Sequence, residues 1–256
     1  MAAHPDKGAA MEKDGLPAGS HPLRLVTFDI DGTIAVGHGW RAIARHRGMT
    51  KAFDEAQTLF RSGRATEDDH LVRLLNFARG LPLQELEQIL ERTRHLAHLA
   101  SLVGALHARG VKVALLTHNP GYVCRWYAER YGFDLWAGVL QRVRDGTIEG
   151  VQHVHVDKRD GLRMLLRATG ASSAETAHLG DGPADARVFP FVATGIALNS
   201  YVPEVRRAAD VTADTRDARD LLPLLHLGLR SRPRPLPYDG GVTSFGSFRL
   251  GRAHKS

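Results

Sequence analysis

The chain has a single cysteine and no long run of apolar residues. Among its 256 residues only Cys124 carries a thiol, so no disulfide can form within the chain and a reducing compartment is the simplest setting. No apolar run approaches the roughly 18 residues that a membrane-spanning helix needs. The first twenty residues also lack the apolar stretch of a secretory signal. We therefore predict a cytoplasmic protein that does not contact a membrane.

The net charge of +6 is concentrated at one end of the sequence. Between Leu229 and Ser256 there are six basic residues and one acidic residue, Asp239, so most of the excess positive charge lies in this segment. A globular protein that binds nucleic acid carries its basic residues on one face of the fold. We interpret residues 229–256, which are rich in proline, glycine and serine, as a basic flexible tail, and we do not expect nucleic acid to be the partner.

Short apolar runs alternate with helical patterns along the chain. Four runs are typical of buried strands: Leu23–Phe28, Val111–Leu116, Ala177–Leu179 and Gly195–Leu198. Strands that alternate with helices predict an α/β fold with a parallel sheet and helices on both faces. Asp145 and Gly146 lie between two alternating runs and predict a β-hairpin.

The segment between the first two predicted strands is too long for a simple crossover. From about Ile34 to Arg109 the pattern is helical throughout, with Thr66 as a capping residue and Pro82 near a helix start. A crossover needs only one helix. The helical residues beyond those of one crossover helix predict an inserted helical cap. The predicted units are a flexible leader over 1–22, a core over 23–34 and 110–228, and a cap over 35–109.

Polar residues follow three of the predicted strands. Two aspartates come directly after the first strand and are followed by Gly32, a threonine ends the second strand, and G-D-G-P-A-D follows the third. Ligands of parallel sheets bind at the carboxyl ends of the strands. Two carboxylates one residue apart suit a metal-assisted nucleophilic site. The residues that carry these patterns, with a lysine that precedes a helix, are Asp29, Asp31, Thr117, Lys158, Asp181 and Asp185.

In this order the motifs resemble those of the haloacid dehalogenase superfamily, over roughly Leu23 to Leu227. The resemblance is strongest to the phosphoserine phosphatase-like branch, although Ala184 stands where that branch usually has asparagine. It implies a Rossmann-like core with a helical cap over the site. It also implies an Mg²⁺-dependent phosphatase that hydrolyses a small phosphomonoester through an aspartyl-phosphate.

The resemblance implies a role for each motif residue. Asp29 would be the nucleophile and Asp31 the general acid and base, as well as a metal ligand through its carbonyl. Asp29 and Asp181 would bind the metal, with Asp185 either a ligand or an anchor for the others. Lys158 is favoured over Arg159 as the phosphoryl-binding base. The residues predicted to bind phosphate or substrate are Gly32, Thr117, Asn119, Lys158 and Arg64, with His118 a weaker candidate.

The sequence leaves the substrate open. Phosphoserine phosphatases typically carry a glutamate after the first motif, but the stretch Ala35–Arg41 has no carboxylate, which argues against phosphoserine. His38 either contacts the leaving group or lies in an exposed turn. Trp40 either contacts the leaving group or packs in the core of the cap. Phosphoserine-like, other small carboxylated and sugar phosphates are the leading candidates. The alternatives are phosphotransfer to an alcohol, a non-catalytic regulatory binder, and a phosphatase on nucleic-acid ends.

Overall fold

A computed structural model describes residues 22–226, 233–237 and 247–252 of the chain. In these residues seven strands form one sheet, in the order β8-β7-β6-β1-β2-β3-β9, and two form a separate hairpin. The strands are β1 (Leu25–Phe28), β2 (Lys112–Pro120), β3 (Leu135–Val139), β4 (Val143–Arg144), β5 (Thr147–Ile148), β6 (Thr176–Gly180), β7 (Thr194–Leu198), β8 (Val211–Ala213) and β9 (Phe248–Arg252).

The helices fall into a cap group, α1 to α4, and a core group, α5 to α9. They are α1 (Gly39–His46), α2 (Thr50–Arg61), α3 (Glu67–Phe77), α4 (Leu83–Arg92), α5 (Leu99–His107), α6 (Gly121–Tyr131), α7 (Lys158–Thr169), α8 (Pro183–Ala186) and α9 (Pro203–Ala208). None of those in the described ranges is both long and apolar enough to cross a membrane.

The central strand β1 sets the position of the site. All four of its residues are buried, and it runs parallel to β2 on one side and to β6 on the other. Phe28 pairs with Leu115 and with Leu179, so these strands end at the same edge of the sheet. The α/β class with a parallel sheet and a helical cap, which the sequence predicts, is confirmed.

The cap is shorter than the sequence suggests. Its two connections to the core run side by side, with Val36 N donating to Arg94 O at 2.7 Å and Leu96 N donating to Ile34 O at 2.9 Å. Helix α5, placed in the cap by the predicted boundary at residue 109, instead packs on β2 and α6 of the core. It is the crossover helix that any parallel pair of strands requires, and periodicity alone does not distinguish it from the cap helices.

Two local features, a helix cap and a hairpin, agree with the sequence prediction. Thr66 caps α3, with its hydroxyl accepting from Asp69 N at 3.1 Å and the Asp69 carboxylate accepting in return from Thr66 N. This reciprocal capping box satisfies two backbone donors that a helix start leaves free. The predicted hairpin is β4–β5, where Asp145 and Gly146 both have positive φ, as a two-residue turn of this kind requires.

Most of the predicted flexible tail over 229–256 lies outside the described residues, but a short part of it forms a strand. Phe248–Arg252 form β9, which pairs antiparallel with β3 and covers the edge of the sheet. An uncovered edge of a sheet is open to pairing with other chains, and here the chain itself supplies the covering strand. Phe248 is almost completely buried, and α7 lies against it at Gly161, where a Cβ atom would come within 3.2 Å of its ring. The high polarity of the tail conceals the burial of Phe248.

Phe248→Ala is expected to lower the free energy of unfolding by about 3–5 kcal/mol, because it leaves a cavity between β9 and α7. Leu250→Ala is the matched control, since Leu250 lies on the same strand but is 38% exposed. Its effect is expected within about 0.5 kcal/mol. Chemical denaturation measures both, and equal losses in the two variants would contradict the anchoring role of Phe248.

Candidate active site

Three buried carboxylates meet at the carboxyl edge of the sheet. Asp29 follows β1, and Asp181 and Asp185 follow β6. Each side chain offers an oxygen, and these oxygens lie within 4.8 Å of one another. All three residues are less than 9% exposed. The fold therefore brings together the side chains of three of the four aspartates that the sequence predicts for a metal site, the fourth being Asp31.

Lys158, the first residue of α7, lies between two of these carboxylates. Its Nζ is 3.0 Å from Asp29 Oδ1 and 2.6 Å from Asp185 Oδ1. Burial lowers the pKa of Lys158, but Asp185 and Asp29 outweigh it and hold the pKa above its ordinary value. The ammonium thus stays charged. Arg159, the alternative base, instead donates from Nε to Asp157 Oδ2 at 2.8 Å and takes no part in the site.

One ammonium does not balance three carboxylates. Burial, followed by the charges of Asp29 and Asp185, raises the pKa of Asp181 well above its usual value. A divalent cation at this position would relieve that repulsion. The donors are all oxygens, which suits Mg²⁺ better than zinc or copper. The residues present therefore fit a magnesium ion.

Asp185 is held as an anchor. Its Oδ1 accepts hydrogen bonds from Lys158 and from His178 Nε2, and its Oδ2 accepts from Gly182 N at 2.9 Å. Burial raises the pKa of Asp185, but Lys158 and His178 outweigh it and lower the pKa far below the usual value. With both oxygens engaged, Asp185 is better placed to orient Lys158 than to bind a metal directly.

Two glycines allow the loops to approach so closely. Gly32 has φ +80°, and a Cβ atom there would lie 2.2 Å from Asp181 Oδ2. A Cβ at Gly180 would lie 2.0 Å from Asp185 Cγ. Both contacts are sterically impossible, so a side chain at either position would displace a carboxylate of the site.

Asp31 is oriented jointly by the core and the cap. Asn119 Nδ2 donates to its Oδ2 at 2.9 Å, and Gly39 N at the start of α1 donates to its Oδ1 at 2.5 Å. The amide of Asn119 is itself held by Thr117 Oγ1 at 3.2 Å. Burial raises the pKa of Asp29, and the neighbouring hydroxyl of Thr117 opposes this effect only in part. Thr117 and Asn119 thus lie at the site, and the cap contributes to the placement of Asp31.

A chamber of about 430 Å³ opens above these residues and is roofed by the cap. His118 lines it, and burial followed by the charge of Lys158 lowers the pKa of His118 to about 3. Arg64 does not line it. The predicted role of Arg64 in binding is wrong, because α2 ends at Arg61 and the chain turns at Gly63, leaving Arg64 exposed with its Nε on Ser62 Oγ. Arg61 lines the chamber instead.

A buried pair behind the site, His178 and Thr27, is not predicted from the sequence. They are register partners on β6 and β1, and both are completely buried. His178 Nδ1 lies 2.9 Å from Thr27 Oγ1, and Nε2 donates to Asp185 Oδ1 at 2.9 Å. His178 thereby supports the carboxylate that in turn holds Lys158. Polar residues inside two otherwise apolar strands were the available signal.

His178→Leu is expected to weaken both activity and Mg²⁺ affinity by about 10- to 100-fold, because groups that hold ligating or catalytic side chains have effects of this size. His178→Gln keeps a donor and should recover part of both. His107→Leu is the control, since His107 pairs with Asp134 far from the site. The stabilisation of the protein by added Mg²⁺ in thermal unfolding provides a readout that does not depend on turnover. Equal Mg²⁺ affinities in wild type and His178→Leu would contradict the supporting role.

Comparison with known proteins agrees with this geometry. The family profile of the haloacid dehalogenase-like hydrolases matches residues 23–189, which is more than half of the chain. The chain belongs to this family. The matched region runs from β1 to the residues that follow the Asp181 and Asp185 motif, and so contains the whole catalytic cluster together with the cap.

Two curated relatives of this haloacid dehalogenase-like hydrolase are phosphoserine phosphatases. That of Wolinella succinogenes is 24% identical over 204 residues, covering 78% of this chain and 98% of the relative. That of Archaeoglobus fulgidus is 24% identical over 181 residues, covering 69% of this chain and 53% of the relative. The similarity places the hydrolase in the phosphoserine phosphatase-like branch, as predicted.

Solved structures share the fold. A phospho-aspartyl intermediate analogue of phosphoserine phosphatase superposes with a TM-score of 0.67 at 22% identity, covering 80% of this chain and 99% of that one. A substrate-bound phosphoserine phosphatase complex gives the same TM-score at 21% identity. At such identities the likeness shows the architecture and leaves open which phosphate ester this hydrolase accepts.

Proposed function

We propose that this hydrolase is a Mg²⁺-dependent phosphatase that cleaves a small phosphomonoester through an aspartyl-phosphate on Asp29. One observation carries the proposal: the buried Asp29 carboxylate lies at the floor of the chamber, 3.0 Å from Lys158 Nζ and within reach of Asp181. A carboxylate attacks phosphorus when cations neutralise the phosphoryl oxygens around it. The phosphoserine phosphatases among its relatives support the same chemistry.

In the first half-reaction Asp29 attacks phosphorus and the bond to the alcohol oxygen breaks. Lys158 donates to the transferring phosphoryl group, together with the hydroxyl of Thr117, and stabilises its charge in the transition state. Asp31, held by Asn119 and Gly39, protonates the departing alkoxide. The products are the free alcohol and phosphorylated Asp29.

In the second half-reaction water replaces the alcohol. Asp31, now ionised, takes a proton from the water, which attacks phosphorus and releases phosphate from Asp29. The cap covers the chamber and limits the access of stray water to the acyl-phosphate. The position of Asp31 in the lining of the chamber supports its proposed roles as acid and base.

A bound Mg²⁺ would supply charge neutralisation at the phosphoryl oxygens. Asp29 and Asp181 are the carboxylates we expect to hold it, with the backbone carbonyl of Asp31 as a further ligand. Asp185 orients Lys158 in this proposal. The cytoplasmic location that the sequence predicts remains part of the proposal.

The test is phosphate release from a panel of small phosphomonoesters, measured with Mg²⁺ and again with an excess of a chelator. We expect turnover of at least one ester with Mg²⁺, loss of turnover on chelation, and recovery when Mg²⁺ is restored. Turnover that persists after complete metal removal would contradict the proposed metal role. The absence of turnover with every ester, from folded protein that binds Mg²⁺, would contradict hydrolysis itself.

The same assay separates the alternatives. Transfer to an alcohol gives a phosphorylated acceptor, and phosphate release then fails to account for all of the ester consumed. A non-catalytic regulatory binder would give neither product. A phosphatase on nucleic-acid ends would lose activity on polynucleotides, but not on small esters, when Arg230, Arg232 and Arg234 of the basic tail are replaced by glutamine, a change that leaves β9 in place.

A further inference from the structure

Four aromatic or aliphatic side chains form an apolar wall on the cap side of the chamber: Trp40, Phe60, Leu71 and Leu74. The polar cap residues that line the chamber beside them are His38, Gln57, Arg61, Glu67 and His70. Trp40 and Leu71 are almost fully buried. Ligand sites of this kind hold an apolar body against such a wall and fix its orientation with a few polar groups. The catalytic floor would hold the phosphate, so the wall faces the alcohol part of the substrate.

Phe60 and His70 together present a flat ring surface. Their ring centroids are 4.5 Å apart and their planes differ by 5°. Burial, followed by the nearby charge of His38, lowers the pKa of His70 to about 4, so the ring is neutral at neutral pH. The stacked pair therefore acts as an aromatic surface and adds no positive charge to the wall.

The charged groups of the cap that border the chamber already have partners. Glu67 is the single cap carboxylate that lines the chamber in the described residues, and it forms an ion pair with Arg187 of the core. Arg61 lies over the Tyr201 ring, 5.7 Å from its centroid, and its Nη2 donates to Tyr201 Oη at 3.0 Å. An ammonium group in the chamber would thus find no unpaired cap carboxylate, and burying an unpaired charge is costly.

Resting on the proposed function, we infer that the substrate is the phosphate ester of an alcohol with an apolar, ring-bearing body and no ammonium group. The ring would pack on Phe60 and Leu74 while the phosphate lies at Asp29 and Lys158. This conclusion departs from the phosphoserine-like and sugar phosphates favoured by the sequence. Those polar bodies would leave the aromatic wall unused.

Three alkyl phosphates test the inference, because their leaving alcohols are chemically similar while their bodies differ: 2-phenylethyl phosphate, ethyl phosphate and phosphoserine. We expect kcat/KM for 2-phenylethyl phosphate to exceed both others by about 10- to 100-fold, the range that burial of an apolar ring gives. Phe60→Ala should reduce this preference to a few-fold, because kcat/KM falls much further for 2-phenylethyl phosphate than for ethyl phosphate. Met49→Ala is the control, since Met49 is an exposed cap residue away from the chamber.

The outcomes separate the inference from the function on which it rests. Turnover of ethyl phosphate with no preference for the ring, or a preference for phosphoserine, would overturn the inference and leave the phosphatase proposal standing. If Phe60→Ala lowered kcat/KM by the same factor for the phenylethyl and ethyl esters, the inference would also be overturned. If wild type released phosphate from none of the three, the proposed function would fail and the inference with it.

Discussion

Asp29→Asn is expected to lower kcat by about 10⁴-fold or more, since loss of a catalytic nucleophile has effects of this size. The amide keeps the size of the carboxylate but cannot form the aspartyl-phosphate. The fold should survive, because Lys158 keeps its 2.6 Å contact with Asp185 and can still donate to the amide oxygen. Removing one of three crowded carboxylates should also ease their repulsion in the metal-free protein.

Two measurements check this prediction. Phosphate release under saturating ester gives kcat, and mass spectrometry of protein denatured during turnover detects the phosphoryl adduct. Wild type should carry the adduct and Asp29→Asn should not. Asp54→Asn is the control, because Asp54 is exposed and pairs with Arg41 on the surface of the cap. Retention of more than a tenth of wild-type kcat by Asp29→Asn would contradict the nucleophilic role.

The central part of the site is predictable because it depends on strand ends. Buried parallel strands place the residues that follow them at one edge of the sheet, so Asp29, Thr117 and Asp181 come together once the strands are identified. The role of Lys158 is predictable only from the family pattern. A lysine at the start of a helix such as α7 indicates no function unless the other motifs are present. The need for glycine at positions 32 and 180 comes from the close approach of the loops that carry the carboxylates. This close approach is seen only in the three-dimensional structure.

Other features depend on contacts that no local pattern encodes. His178 supports Asp185 from inside a strand, and its partner Thr27 lies some 150 residues earlier in the chain. The choice between Arg61 and Arg64 depends on where α2 ends, and helix ends are poorly defined by periodicity. Phe248 is one apolar residue in a polar tail, and its burial depends on the free edge of β3.

Lys158→Met is expected to lower kcat by about 10²- to 10³-fold, the cost of losing one donor to the transition-state charge. It should also lower the free energy of unfolding by about 3–5 kcal/mol, because removing one partner of a buried ion pair leaves the other charge uncompensated. Methionine matches the length of lysine without its charge. Asp29 and Asp185 would then face each other and Asp181 with no ammonium between them.

The two losses respond differently to Mg²⁺, which makes the prediction specific. Added Mg²⁺ should restore part of the stability of Lys158→Met, since a cation at the carboxylates replaces some of the lost charge, but it should not restore kcat. Lys112→Met is the control, because Lys112 forms a surface pair with Asp134 at 2.8 Å and such pairs contribute about 1 kcal/mol or less. Full recovery of kcat at high Mg²⁺ would show that Lys158 acts only through charge balance. Recovery of stability alone would instead assign to Lys158 a direct hydrogen bond to the transferring phosphoryl group, as its position between Asp29 and Asp185 indicates.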